Sequence, residues 1–145
     1  MTSVRLTTCG PPVQTDRFSL CCLIENVSFA GDVYFSKRSS DVSVFEVKAR
    51  ISNSGWLLWS TGSIETYEAS LTGENAVVRN FSITSLNSSD ILQHHEGEVW
   101  KCGYNRYYRD GYNDEHVSQY TIPPTRKHFL HLKMKTKSGF SRFLS

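Results

Sequence analysis

The chain of 145 residues lacks the patterns that mark several large classes of protein. It has no helical stripe of useful length, and no stretch approaches the run of about 18 apolar residues that a membrane-spanning helix requires. No glycine-rich phosphate loop occurs, and no two cysteines have Cys-x-x-Cys spacing, so neither a zinc site nor a redox motif is indicated. Disulfides are the better interpretation of the cysteines.

The N-terminus also lacks an apolar core of the length that a signal peptide requires. Disulfides form and persist in oxidising compartments. We therefore expect the sequence to be a fragment of a secreted or cell-surface protein whose leader is missing. The alternative is a cytosolic protein whose cysteines stay reduced.

Acidic residues are absent from the C-terminal part of the chain. All 14 of them lie at or before Glu115, whereas six of the 16 basic residues follow Pro124. Residues 1–124 carry a formal charge of −4 (ten basic, 14 acidic) and residues 125–145 one of +6. We predict one domain over residues 1–124, since single cores commonly form at about 100–150 residues, and a truncated or disordered basic tail over residues 125–145. A mildly acidic domain argues against nucleic-acid binding through its body.

Short runs rich in Val, Phe, Tyr, Thr and Ser are separated by clusters of Gly, Asn, Asp and Pro, which is typical of an antiparallel all-β domain. For the apolar run 56–59 we favour packing in the core or at a sheet edge over an exposed binding patch. The predicted strand segments are 4–8, 17–24, 33–35, 42–51, 56–59, 64–71, 76–86, the run around Cys102, and 117–122.

The cysteines are Cys9, Cys21, Cys22 and Cys102. Along the run 17–24, alternation puts Cys22 on the apolar face, so Cys22 should point into the core and Cys21 outward. If the runs 4–9 and 17–24 form a hairpin, Cys9 and Cys21 are equidistant from its turn and face each other, within the about 4.4–6.8 Å Cα separation of a disulfide. We predict an outward disulfide between Cys9 and Cys21.

Four features follow one another along the chain. They are Cys22 on an apolar strand, the aromatic pair Tyr34 and Phe35, the run 79–86, and Trp100-Lys101-Cys102. Together they resemble an immunoglobulin-superfamily domain of the variable-like kind. The resemblance covers roughly residues 5–123.

The resemblance implies an antiparallel two-sheet immunoglobulin-like sandwich in which Cys22 and Cys102 form the disulfide between the sheets. Trp100 would stand where the family usually places a corner Tyr, and Tyr34 or Phe35 would replace the family's core Trp. The long interval between the two cysteines implies extra strands or an insertion between residues 38 and 63. The core residues that the resemblance implies on the preceding strand are Phe81, Ile83 and Leu86.

The loop over residues 104–116 is the strongest functional signal. Its tyrosines interleave with Asn, Arg, Asp and Gly as in antibody-type contact loops, where Tyr gives a large contact area at low conformational cost. On the resembled fold the loop lies at the end of the sandwich where variable-type domains bind. The alternative is a long hairpin whose tyrosines pack back on their own strands. We predict partner contacts from Tyr104, Arg106, Tyr107, Tyr108, Arg109 and Tyr112.

No catalytic, metal or cofactor site is indicated. After His94-His95-Glu96, a zincin helix would need a second His where Val99 stands, so we interpret this segment as a solvated turn. His116 is isolated from any paired nucleophile, and the acidic residues are scattered singly. We expect a protein that is not an enzyme and binds no cofactor.

The sequence thus predicts a secreted or cell-surface recognition domain, of an immune-type or adhesion receptor, that binds a protein or glycan through the loop 104–116. One alternative is a structural spacer in a longer ectodomain. Another is electrostatic docking of the basic tail on an anionic membrane or nucleic acid.

The candidate glycosylation sites, all in Asn-x-Ser sequons, are Asn26, Asn80 and Asn87.

Overall fold

The computed structural model describes residues 1–27, 29–39, 41–60, 66–73, 77–105 and 116–124. These residues form antiparallel strands and one short 3₁₀ helix. In chain order the elements are β1 (Ser3–Thr8), β2 (Ser19–Glu25), β3 (Asp32–Arg38), β4 (Glu46–Ile51), β5 (Leu57–Ser60), β6 (Tyr67–Thr72), β7 (Val78–Ser85), the 3₁₀ helix (Leu92–His95), β8 (Val99–Asn105) and β9 (His116–Thr121).

Two antiparallel sheets pack face to face as a sandwich. The first has the strand order β1-β2-β7-β6 and the second the order β5-β4-β3-β8-β9. Because successive side chains of a strand point to opposite faces, residues in register form apolar rows that face the other sheet. Cys22 lies opposite Phe81 in the first sheet, and Phe35 lies opposite Cys102 in the second. The predicted all-β, two-sheet sandwich is confirmed.

Both predicted disulfides are present. Cys22 of β2 bonds Cys102 of β8, with both residues fully buried, so this bond joins the two sheets through the core. Cys9 bonds Cys21 at a Cα separation of 4.9 Å. The register of that hairpin differs from the predicted one, since Thr7 and not Cys9 lies opposite Cys21. Cys9 follows the end of β1 and reaches Cys21 diagonally, because it shares a strand face with Thr7.

The core contains aromatic residues at positions that the resemblance implied. Phe35 is fully buried, whereas Tyr34 is only partly buried and lies on the outer face, so Phe35 occupies the position that was left open between the two. Trp100 is fully buried and contacts Phe18, with ring centroids 5.3 Å apart. Its indole Nε1 donates a hydrogen bond to Glu98 Oε1 at 3.1 Å.

Two details of the predicted strands are wrong. The strand predicted from Val42 begins only at Glu46, and the Val42 amide donates to the Ser39 carbonyl at 3.1 Å instead of joining a strand ladder. Val44 is 71% exposed as a result. Leu86, which the resemblance placed in the core, lies after the end of β7 and is 47% exposed.

Candidate functional site

Three chain connections meet at one end of the sandwich, which we call the loop end. The register places Asp32, the first residue of β3, opposite Asn105, the last residue of β8. Ile51, at the end of β4, lies opposite Val33 near the start of β3. The connections β2–β3, β4–β5 and β8–β9 therefore leave the sheets at the same end.

Tyr104 anchors the base of the β8–β9 connection. Its side chain is fully buried, and its hydroxyl donates a hydrogen bond to the Phe29 carbonyl at 2.6 Å. The Phe29 ring lies 5.0 Å from the Tyr104 ring and 5.7 Å from the ring of His116, the first residue of β9. Burial raises the pKa of the Tyr104 hydroxyl above its ordinary value. The aromatic cluster ties the β2–β3 connection to both ends of the loop.

The outer face of the five-stranded sheet carries an ion pair beside this cluster. Arg50 on β4 donates to Asp32 on β3, with Nε 2.9 Å from Oδ2, and its guanidinium stacks 5.6 Å from the centre of the Tyr34 ring. Both charged side chains are partly buried, so water screens the pair less than an exposed one. The pair fixes the start of β3 directly under the loop end.

The predicted contact residues have two different outcomes. Tyr104 was predicted to touch a partner, but its side chain is in the core, because it shares a strand face with Trp100 and Cys102. That prediction is corrected, and Tyr104 is an anchor for the loop. The other predicted contacts lie outside the described residues: Arg106, Tyr107, Tyr108, Arg109 and Tyr112.

The apolar run 56–59 lies at a sheet edge, one of the two settings favoured from the sequence, with Trp56 just before the edge strand β5 and Leu58 within it. Leu57 packs against the core, while Trp56 is 74% and Leu58 51% exposed. The pairing of β4 with β5 shifts register between Arg50 and Ile51, which leaves Leu58 as an extra residue in a bulge. The apolar run was visible in the sequence, but the sequence does not show which strand lies at the edge of the sheet. The exposure of Trp56 and Leu58 could therefore not be predicted.

At the opposite end of the sandwich, His95 is the centre of a polar network. Its Nε2 is 2.7 Å from Asp90 Oδ1, and its Nδ1 is 2.7 Å from Glu98 Oε1. Glu98 also binds Lys37 of β3, with Nζ 3.1 Å from Oε2, and the His95 ring stacks on Phe18 with centroids 3.9 Å apart. The predicted solvated turn is therefore corrected for His95, whereas His94 is exposed as expected.

The pKa values in this network move in opposite directions. Burial disfavours the charged form of His95, but the hydrogen bonds to Glu98 and Asp90 outweigh that cost and raise its pKa. Burial likewise acts against charged Glu98, but the hydrogen bond and charge of His95 prevail and lower its pKa. The two shifts favour the pairing of a cationic His95 with the Glu98 carboxylate.

The candidate glycosylation sites occupy three different settings. Asn26 is exposed and follows β2 with φ 56°, in the left-handed region. Asn80 is in the middle of β7, and its Oδ1 is buried without a hydrogen-bond partner. Asn87 is exposed in the turn after β7.

Neither a metal site nor a membrane span is found in the described part of the chain. No group of three or more His, Cys, Asp or Glu residues there is arranged to hold a metal ion. Within the same residues, no helix is long and apolar enough to cross a membrane. No protein-family model matches the chain, and no curated protein is significantly similar to it.

Proposed function

We propose that residues 1–124 are a variable-type immunoglobulin-like domain of a secreted or cell-surface protein. The strand orders β1-β2-β7-β6 and β5-β4-β3-β8-β9 support this, because they match the ABED and C″C′CFG sheets of that type. The extra strands expected between residues 38 and 63 correspond to β4 and β5. The bond between Cys22 and Cys102 joins the counterparts of strands B and F.

Two disulfides support the proposed extracellular location. Disulfides are rare in the reducing cytosol and common in exported domains, and all four cysteines are paired in this fold. On this proposal the sequons at Asn26, Asn80 and Asn87 belong to a glycoprotein.

The proposed activity is recognition of a protein or glycan through the loop 104–116, in an immune-type or adhesion receptor, and the protein is not an enzyme. The observation that carries this proposal is the convergence of three connections at the loop end, above the Phe29–Tyr104 anchor and the Asp32–Arg50 pair. Binding loops are most effective when a rigid scaffold positions them. Residues 106–115 contain three Tyr and two Arg together with one Gly and one Asn, a composition that suits such contacts.

A binding screen tests the proposal. The full chain, displayed multivalently, is measured against a panel of secreted and cell-surface ectodomains and a glycan array, beside the double variant Tyr107→Ala/Tyr108→Ala. We expect at least one binder whose affinity falls by about 30-fold or more in the variant, as for hot-spot tyrosines, with a melting temperature within a few degrees of the parent chain.

The matched control is Trp56→Ala/Leu58→Ala, which removes the exposed apolar pair of β5. This control should leave binding unchanged. Binding that depends on Trp56 and Leu58 and ignores the two tyrosines would place the contact on the edge strand and refute the loop as the site.

A further inference from the structure

We infer that Asn87 is the preferred N-glycosylation site over Asn80, and that the first sugar of its glycan packs in a groove beside the turn that follows β7. The inference rests on the proposed extracellular location. The modification joins Asn87 Nδ2 to the anomeric carbon of an oligosaccharide supplied on a lipid pyrophosphate carrier. The bond from that carbon to the phosphate oxygen breaks, the lipid pyrophosphate leaves, and Nδ2 loses one proton to solvent.

The turn holds both parts of the sequon at the surface. The Asp90 amide donates to the Asn87 carbonyl at 3.0 Å, which closes a tight turn. Asn87 Oδ1 accepts hydrogen bonds from the Ser89 amide at 3.0 Å and from the Ser89 hydroxyl at 2.7 Å. All three residues of the sequon, 87–89, are exposed. A transferase therefore reaches the carboxamide and the hydroxyl together, and the carboxamide oxygen is already engaged on the protein side.

Asn80 offers no comparable access. It lies in β7 between two neighbouring strands, opposite Leu23 of β2 and Thr72 of β6. Its Oδ1 is buried and has no hydrogen-bond partner, so the carboxamide oxygen lies against neighbouring side chains instead of in solvent. A glycan is bulky and requires a surface position. The position of Asn80 within a central strand, with its carboxamide oxygen buried, therefore disfavours modification in the folded domain.

A groove next to Asn87 suits a sugar ring. It is open, has a volume of about 610 Å³, and its walls include Thr66, Leu86, Asp90 and His94. Leu86 offers an exposed apolar surface for the C–H face of a sugar, while the hydroxyl, carboxylate and imidazole groups suit its polar edge.

The groove lies away from the loop end. Val78, at the start of β7, is opposite Glu25 near the β2–β3 connection, so Ser85 and the turn after it lie at the other end of the sheet. A glycan on Asn87 therefore leaves the loop 104–116 open for a partner.

Site-specific mass spectrometry tests the inference. The full chain is placed behind a cleavable leader and expressed in a eukaryotic secretory cell line, and glycopeptides are quantified on total cell and medium protein. We expect occupancy at Asn87 to exceed that at Asn80. Asn87→Gln and Ser89→Ala should each remove one glycan, and the matched control Ser88→Ala, which keeps the sequon, should not. An unmodified Asn87, or equal or higher occupancy at Asn80, overturns the inference.

The packing of the first sugar has its own readout. Protein trimmed enzymatically to that sugar is compared with the same sequence made without glycan in an oxidising bacterial host. We expect the trimmed form to melt about 2–4 °C higher, and Leu86→Ser to cancel the difference; equal melting temperatures refute the packing. Because the added leader directs the chain to the secretory pathway, neither the glycan occupancy nor the melting temperature depends on binding through the loop 104–116. Binding of the panel partner by the Asn87→Gln variant tests the proposed function separately.

Discussion

His95 connects the residues on either side of the 3₁₀ helix with Phe18 and, through Glu98, with Lys37 of β3. It lies between Asp90, which precedes the 3₁₀ helix, and Glu98, which precedes β8, and Glu98 in turn accepts from the indole of Trp100. The bond to Glu98 holds the indole of Trp100, two residues before Cys102. One ionisable side chain thus fixes the chain as it approaches the buried Cys102.

The first prediction concerns the replacement His95→Gln. The raised pKa of His95 means that its contribution to stability is fully present below about pH 6.5, the pKa of an unfolded His, and is lost as the pH rises through the folded-state pKa. The contribution of Glu98, whose pKa is lowered, is lost only as the pH falls through that lowered value. At pH 6 the replacement should cost about 1–3 kcal/mol, as for hydrogen bonds to charged groups.

Urea unfolding at pH 6 and pH 9 measures this cost, which should shrink at pH 9. His94→Gln is the matched control, since His94 is exposed, and it should change the free energy of unfolding by less than about 0.5 kcal/mol at either pH. A cost for His95→Gln that is equal at the two pH values would contradict the ion-pair role.

At the scale of the element, β5 has two unlike faces on a strand of four residues. Leu57 lies opposite Ile51 and packs on the core, whereas Leu58 occupies the bulge and faces solvent. A bulge at an edge twists the strand and disfavours pairing with another sheet. We therefore expect the exposed side chains of Trp56 and Leu58 to be available for contacts, while the backbone of β5 is poorly placed to pair with another strand.

Adjacent leucines on β5 give a matched pair of variants. Leu57→Ala should lower the free energy of unfolding by about 2 kcal/mol, because it removes apolar contacts with the core. Leu58→Ala should change it by less than about 0.5 kcal/mol, since that side chain is largely in water. Chemical denaturation measures both, and equal costs would mean that the bulge is misplaced.

At the scale of the molecule, alternation along single strands predicted most of the sandwich. The apolar face of the run 17–24 assigned Cys22 to the core, and the same rule would have assigned Tyr104 there, since it shares a face with Cys102. The sequence does not show the geometry of the turn between β1 and β2. The predicted register of Cys9 was therefore wrong, although its predicted disulfide partner, Cys21, was correct. Strand alternation is local and therefore readable from sequence.

Apart from the disulfide between Cys22 and Cys102, long-range contacts were the part that the sequence did not reveal. The contact of Phe29 with Tyr104 and the pair of Asp32 with Arg50 join residues from different strands or connections. Nothing in the spacing of these residues marks them as neighbours, because their proximity follows from the strand order. The predicted contact residues 106–112 stay a prediction.

Replacement of residues 106–115 by a Gly/Ser linker of equal length tests the central claim most directly, with the strongest binder from the ectodomain and glycan panel as probe. The account predicts that binding is lost while the melting temperature stays within a few degrees, because the Tyr104 anchor and both disulfides lie outside the replaced segment. An unchanged affinity, or a collapse of the fold, would contradict the claim that a rigid sandwich presents this loop as its contact surface.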